Sequence, residues 1–368
     1  MIDIKNTFIK LTSKRYPRGK EDQVIDLVPE YTFEKDEIGN YYIIIKKQDG
    51  TFSDTMFTCH LDTIDRTKYT TTDWSNRKWN VTTGKWDIID PEKEKDVKVD
   101  DGSVVHVFED DFIKTDGNSN LGADDKAGMT IMLNMISENI PGLYYFFIGE
   151  ESGCIGSSAI SRKFTDLIKE QKLPDVKKCI SFDRRSYGSV ITHQMSTRCC
   201  SDEFGNELSK QLNEFGFWYA NDSTGVYTDS AEFLDIIPEC TNLSVGYFDE
   251  HSLTEKQDIE FLELLSRAVL KIDWDSLPIT RNIDDCKYTG KKSKTYTTYN
   301  YGTDWDEDQY LSRYYHNYHN NTTNSTPSTS NTPSTNNKTS DNLKKEIDDF
   351  DFDKWYNEQK AKSIILND

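Results

Sequence analysis

Apolar and polar positions follow two regimes along this chain. Residues 1–278 carry short apolar runs divided by turn signals, while residues 279–368 hold few aliphatic residues. Tyr41–Lys46 reads as a strand, entered through the turn Asp36-Glu37-Ile38-Gly39-Asn40 and left at Gly50. Thr55–Cys59 reads as a second strand, ending at His60. Leu143–Ile148 is continuously apolar, as a strand buried on both faces should be. Cys179–Phe182 follows, with Ser189–Thr192 expected to pair beside it, and Thr241–Tyr247 is the last clear strand. The start of the chain reads as helical, broken at Tyr16-Pro17-Arg18-Gly19 and resumed over Lys20–Val28. A second opens at Asp124, with Ala127, Ile131, Met132, Met135 and Ile136 recurring until Pro141-Gly142 stops it. Two more cover Glu203–Phe215 and Asp258–Leu270, the latter with Ile259, Leu262, Leu265 and Val269 on one face. Residues 64–110 are irregular and rich in Thr, Trp, Asp and Lys. They read as a surface elaboration with short strands near Ser103–Phe108.

Strands alternating with helices predict an α/β domain over residues 1–278 with a mixed, mainly parallel sheet. Ligands bind such sheets beyond the carboxyl ends of the strands. The rest divides by composition. Residues 279–320 form a Tyr/Lys-rich extension. Residues 321–340 are Asn, Thr, Ser and Pro, a disordered-linker composition that cannot bury a core. Residues 341–368 are expected to hold a short helix with Leu343, Ile347 and Phe350 on one face, for which docking on a protein partner is one reading.

The net charge of −20 argues against nucleic acid or an anionic membrane as partner, since both repel an acidic surface. No run approaches the roughly 18 apolar residues of a membrane span. The N-terminus carries neither the basic nor the apolar part of a secretory signal. Seven cysteines, an odd number without Cys-x-x-Cys spacing, read as free thiols in a reducing compartment, so a cytoplasmic location is expected.

The candidate chemistry falls where apolar runs end. His60-Leu61-Asp62 follows the second strand, Glu150-Glu151 the apolar run before it, Asp183 the next strand and His251 the last. Nitrogen and oxygen donors of this mix suit zinc. Each motif alone is weak: a His-x-Asp triplet is commonly surface decoration, and paired acids commonly face solvent. Glu150 and Glu151, however, directly leave a buried strand, where two carboxylates repel unless a cation or proton stands between them. One as a ligand and one as a proton carrier resolves that conflict. Asp124-Asp125-Lys126 fits the N-terminal charge preference of a helix as well as it fits a site. His106, His193, His316 and His319 read as surface or partly packed side chains.

Taken as an ordered series, Thr115-Asp-Gly-Asn-Ser-Asn-Leu-Gly-Ala-Asp-Asp-Lys-Ala-Gly128, Gly149-Glu-Glu-Ser-Gly153, Asp183 and His251 resemble the co-catalytic di-zinc exopeptidases, in wording closest to the tripeptidase T group. The resemblance covers residues 8–272 and implies a three-layer α/β/α sandwich, a single catalytic domain of the zinc-exopeptidase type. It implies two zinc ions per chain bridged by Asp124, one completed by His60 and Asp183, the other by Glu151 and His251. Asp62 would orient His60, and Glu150 would be the general base. The implied reaction is removal of N-terminal residues from short peptides. An N-acyl amino-acid hydrolase or deacetylase and a non-catalytic binding module of the same fold are the rival readings. Tripeptidase-type relatives insert a lid or dimerisation domain between the ligands matched by Asp183 and His251. Here the two stand too close in sequence for one. Tyr227, Arg184 and Arg185 remain alternatives for the substrate contacts that such a lid supplies.

Overall fold

The computed structural model describes residues 1–67, 77–80, 85–89 and 101–286. Its helices are α1 (Ile4–Leu11), α2 (Glu21–Ile25), α3 (Ala123–Ser137), α4 (Ile155–Lys169), α5 (Asp202–Asn213) and α6 (Ile259–Ala268). Its strands are β1 (Glu34–Lys35), β2 (Tyr41–Ile45), β3 (Thr55–His60), β4 (Arg77–Asn80), β5 (Lys85–Ile88), β6 (His106–Glu109), β7 (Phe112–Thr115) and β8 (Gly142–Phe147), followed by β9 (Lys178–Arg184), β10 (Ser189–Ile191), β11 (His193–Gln194), β12 (Thr197–Arg198), β13 (Ala220–Asp222), β14 (Glu239–Ser244), β15 (Tyr247–Phe248) and β16 (Lys256–Asp258).

The main sheet has eight strands in the order β1-β2-β8-β3-β9-β14-β10-β13. Its centre, β8-β3-β9-β14, is parallel throughout, and antiparallel pairings flank it at β2 and β10. The continuous apolar runs follow from burial on both faces. Met56, Tyr145, Phe147 and Cys179 join Ile160 and Phe164 of α4 in one core cluster. Phe57, the next residue of β3, turns to the other face and meets Tyr144, Phe182 and Trp274 with ring centroids 5.1, 6.1 and 4.8 Å away. Each such fully buried aromatic contributes roughly 1.5–3 kcal/mol.

Helix α3 crosses β3 and β9 and is itself covered by α1 and α6. It is therefore buried on all sides from Ala123 to Ile136. Gly128 allows this approach: a Cβ there would lie 2.4 Å from the Phe182 carbonyl oxygen. Polar side chains cap α1, α5 and α6: Asp3 accepts from the Asn6 amide, Ser201 from the Phe204 amide and Asp258 from the Phe261 amide.

The mixed, mainly parallel sheet with helices packed on it agrees with expectation. Four local readings change. Helix α4 was not foreseen, although parallel β8 and β9 require a crossover between them. Ser189–Ile191 pairs with β14 and β13, not with β9, because β14 takes the place beside β9. The strand at 241–247 ends at Ser244 and is not the last, since β15 and β16 follow. They join β7 and β6 in a second, four-stranded sheet. That sheet supplies the structure of residues 106–115, and β4 and β5 form a hairpin within the irregular region.

Packing continues past residue 278. Arg281 is buried, and its Nη2 donates to the Leu234 and Ile237 carbonyls at 2.8 and 2.7 Å. By its contacts the chain divides into units 1–297 and 298–368. The expected linker and C-terminal helix lie outside the described residues, as does most of the Tyr/Lys-rich extension. Among the described residues no helix is long and apolar enough to cross a membrane.

Candidate metal centre

Four parallel strands deliver their carboxyl ends to one place. His60 closes β3. Its Nδ1 lies 2.9 Å from the Asp62 backbone carbonyl, which fixes the proton on Nδ1 and leaves Nε2 facing the centre. His60 Nε2 is 2.8 Å from Asp124 Oδ1 and 3.8 Å from Asp183 Oδ1. The Asp62 carboxylate lies 3.7 Å from Nδ1, and its strongest contacts are elsewhere. Its two oxygens accept the backbone amides of Glu150 and Glu151 at 3.0 and 3.2 Å. Asp62 thus ties the turn after β3 to the 3-10 turn after β8.

Asp124 stands at the start of α3. Its Oδ2 is 3.2 Å from His251 Nε2, so its two oxygens face two different imidazoles. His251 Nε2 is also 2.9 Å from Glu151 Oε1. That contact lacks hydrogen-bond alignment, leaving Glu151 Oε1 buried without a hydrogen bond. Asp183 is steadied by the Thr228 hydroxyl at 2.6 Å on Oδ2 and the Tyr247 hydroxyl at 3.1 Å on Oδ1. Donor atoms of His60, Asp124 and Glu151 lie within 4.8 Å of one another, as do those of His60, Asp125 and Asp183. All five expected ligand residues are therefore brought together. Glu150 stands beside them, with the Cys154 thiol 3.6 Å from its Oε1.

The electrostatics show a surplus of buried negative charge. Burial opposes ionisation of Asp124, yet His251 and His60 hold its carboxyl far below the usual range. Burial and the charge of Asp124 push Asp183 well above that range. Glu150 is raised by burial and by Asp183, Asp229 and Glu151, against the pull of His60. Glu151 is raised by burial and Asp124. Burial disfavours charge on the histidines, but Asp124 and Asp62 raise His60, and Asp124 with Glu151 lifts His251 to about 11. Protons thus gather where a cation would balance the same charges. The imidazole and carboxylate donors, the bridging placement of Asp124 and the unbonded Glu151 oxygen fit a divalent metal of the zinc type.

Several contacts of the site left no signal in the sequence. Asp125 donates no oxygen freely: its carboxylate accepts the amides of Gly128 and His60. Glu255, 1% exposed, accepts amides from the loop before α3. Asp229 is buried against the Ser157 hydroxyl, and burial pushes its carboxyl up to about 7. Buried Lys126 was visible as part of its motif, but its Nζ bond to the Leu61 carbonyl at 2.6 Å was not. Apart from the Asp125–Gly128 contact within one turn of α3, each of these partnerships joins segments far apart in sequence, which no local pattern encodes.

Among the residues considered for substrate contacts, Arg184 bonds Thr224 at 3.2 Å, Arg185 pairs with Glu250 at 3.0 Å and Tyr227 donates to Glu232 at 2.8 Å. His106 lies 2.8 Å from the Thr12 hydroxyl, and His193 lies 3.0 Å from that of Thr192. His316 and His319 fall outside the described residues.

No family model matches the chain. The uncharacterized protein YqjE of Bacillus subtilis strain 168 is 46% identical over 74 residues, covering 18% of this chain and 20% of that protein. The chain thus spans about a fifth of the length of this curated relative. Similar solved structures include aminopeptidase PepT from Bacillus cereus ATCC 10987, at 15% identity and TM-score 0.53 over 73% of this chain and 96% of that one. A tripeptidase from Staphylococcus aureus matches at 16% identity and TM-score 0.52, over 73% and 96%. The TET1 peptidase of Pyrococcus horikoshii matches at 15% identity and TM-score 0.52, over 73% and 98%. The chain shares the fold of these peptidases. Between Asp183 and His251 it runs through the main sheet, α5 and a short hairpin, with no separate inserted domain.

Proposed function

We propose that this chain is a metal-dependent peptidase that removes N-terminal residues from short peptides. The observation that carries this reading is the placement of Asp124, whose Oδ1 meets His60 at 2.8 Å and whose Oδ2 meets His251 at 3.2 Å. A carboxylate so placed is suited to bridge two cations, one held with His60 and Asp183, the other with Glu151 and His251. Zinc matches this donor set best. Bound there, it lowers the pKa of a coordinated water toward about 7 and polarises a carbonyl.

The remaining work belongs to the protein. The Asp62 carbonyl holds the His60 ring, so Nε2 presents its lone pair inward. The Asp62 carboxylate fixes the backbone of Glu150 and Glu151, directing one toward His251 and leaving the other beside the reacting atoms. Burial and neighbouring acids raise the pKa of Glu150, which suits its carboxylate to accept a proton from the attacking water and return it to the leaving amine. The absence of an inserted domain after Asp183 supports a cleft that tolerates peptides of several lengths. Among the described residues six cysteines are buried and free, which supports a reducing, cytoplasmic setting.

Hydrolysis of aminoacyl-anilides, tripeptides and N-acetyl amino acids, each with and without chelator, tests the reading. Chelator-sensitive cleavage of the free-amine substrates is expected. Preference for the N-acetyl compounds would make the chain an acyl amino-acid hydrolase. Cleavage that survives complete metal removal would sink the metal-dependent mechanism.

A further inference from the structure

We infer that Glu255 is the positioning residue for the bridging carboxylate and thereby sets the affinity for both metal ions; this rests on the metal-centre reading above. Glu255 is 1% exposed and immediately precedes β16, on the segment that carries His251. Its Oε2 accepts the amides of Leu121 and Gly122 at 2.8 and 2.9 Å, and its Oε1 accepts the amide of Asp124 at 3.2 Å. All three donors lie in the turn that aims Asp124. That turn is tight: Gly122 has φ of 77°, and a Cβ there would lie 3.0 Å from Thr63 Cγ2. The turn is thus held by Glu255 on one side and closed by the His60 loop on the other.

The two halves of the centre are built alike. Asp62 links the loop of His60 to the backbone of Glu150 and Glu151. Glu255 links the loop of His251 to the backbone of Asp124. Neither is among the five proposed ligands, and each fixes ligands supplied by two segments. Because Asp124 is shared, loss of Glu255 must loosen both metals together. Loss of an ordinary ligand such as Asp183 would loosen one first.

Glu239 provides the control. It is a buried carboxylate that accepts the amides of Ser201, Thr280 and Arg281 at 2.7, 2.7 and 2.8 Å. It lies at the amino end of β14, opposite the centre. Glu239→Gln therefore removes a similar clasp without touching a ligand loop.

Metal-free full-length protein would be titrated with Co²⁺, following its visible absorption, and with Zn²⁺ against a chromophoric chelator. Thermal midpoints of the same samples would be recorded. Glu255→Gln should weaken both binding events by about 10–100-fold, the range for residues that orient ligands. It should also change the Co²⁺ spectrum. Glu239→Gln should lower the thermal midpoint and leave affinity within about twofold of the parent. Parent-like affinity and spectrum in Glu255→Gln would overturn the inference, even if its midpoint falls as in Glu239→Gln. If Glu255→Gln does not fold, Glu255→Asp keeps the charge, retracts it by one methylene and is judged by the same two readouts. A parent protein that binds neither ion would overturn the metal-centre reading itself. A parent that binds both, with unaltered Glu255 variants, overturns only the role of Glu255.

Discussion

Glu150 and Glu151 are adjacent, yet their surroundings assign them different work. Glu151 Oε1 meets His251 at 2.9 Å, whereas Glu150 Oε1 accepts from the Cys154 thiol at 3.6 Å. Glu150→Gln should therefore keep its metals and lose about 10²–10⁴-fold in kcat, while Glu151→Gln should lose metal. Elemental analysis of both variants checks this, and equal metal loss would refute the division. Asp229 gives a pH test in metal-free protein. Its carboxyl titrates near 7 in the fold because it is buried, against 3.8 ordinarily. Between those values the folded chain keeps a proton that the unfolded chain has released. Stability contributed by Asp229 therefore falls as pH rises from about 4 to about 7, then levels. Asp229→Asn keeps an acceptor for Ser157 and removes the charge. It should match the parent near pH 4 and exceed it at pH 8 by up to about 4 kcal/mol. Urea unfolding at the two pH values reads this, and a gap that does not depend on pH would contradict it.

At the scale of elements, α3 decides how closely Asp124 approaches Asp183. Gly128 sets that spacing, since a methyl group there would fall 2.4 Å from the Phe182 carbonyl oxygen and 2.5 Å from Asp125 Oδ1. Gly128→Ala must push α3 away from β9. A stability loss of about 1–3 kcal/mol is expected, together with weaker metal binding. Denaturant titration and metal titration of one preparation measure both, and parent-like values in both would show that the helix yields freely. Helix α3 was legible because Ala127, Ile131, Met132, Met135 and Ile136 repeat at helical spacing. Helix α4 was missed. Its buried face alternates Ile160 and Phe164 with Gly156, Ser157 and Ser161, a stripe too thin to stand out. Only the demand for a crossover between parallel β8 and β9 points to it.

For the whole molecule, the buried acids make metal and fold interdependent. Asp183, Glu150 and Glu151 are all raised by burial, so without metal each favours a proton and opposes folding as pH climbs. Ligand bound only by the native state stabilises it by about 4 kcal/mol at a thousand times its Kd. Chelation should therefore lower the thermal midpoint, and the difference between metal-bound and metal-free protein should widen from pH 6 to pH 8. Calorimetry at the two pH values measures this. A midpoint indifferent to chelator would argue that the acids are balanced by protons alone.

The α/β class and the central strands were legible from the order of residues alone, and His60, Glu150, Glu151, Asp183 and His251 stood out because a doubly buried strand stays apolar until it leaves the sheet. Asp124, at a helix start, and the roles of all six came only with the resemblance to the di-zinc exopeptidases. Tertiary structure decided the rest. The order that seats β14 between β9 and β10 depends on pairing across long loops, which local periodicity does not encode. The Asp62 and Glu255 clasps bond backbone amides, and an amide has no residue identity to read. The His60 tautomer likewise rests on a carbonyl oxygen, which every residue carries and only the folded chain places.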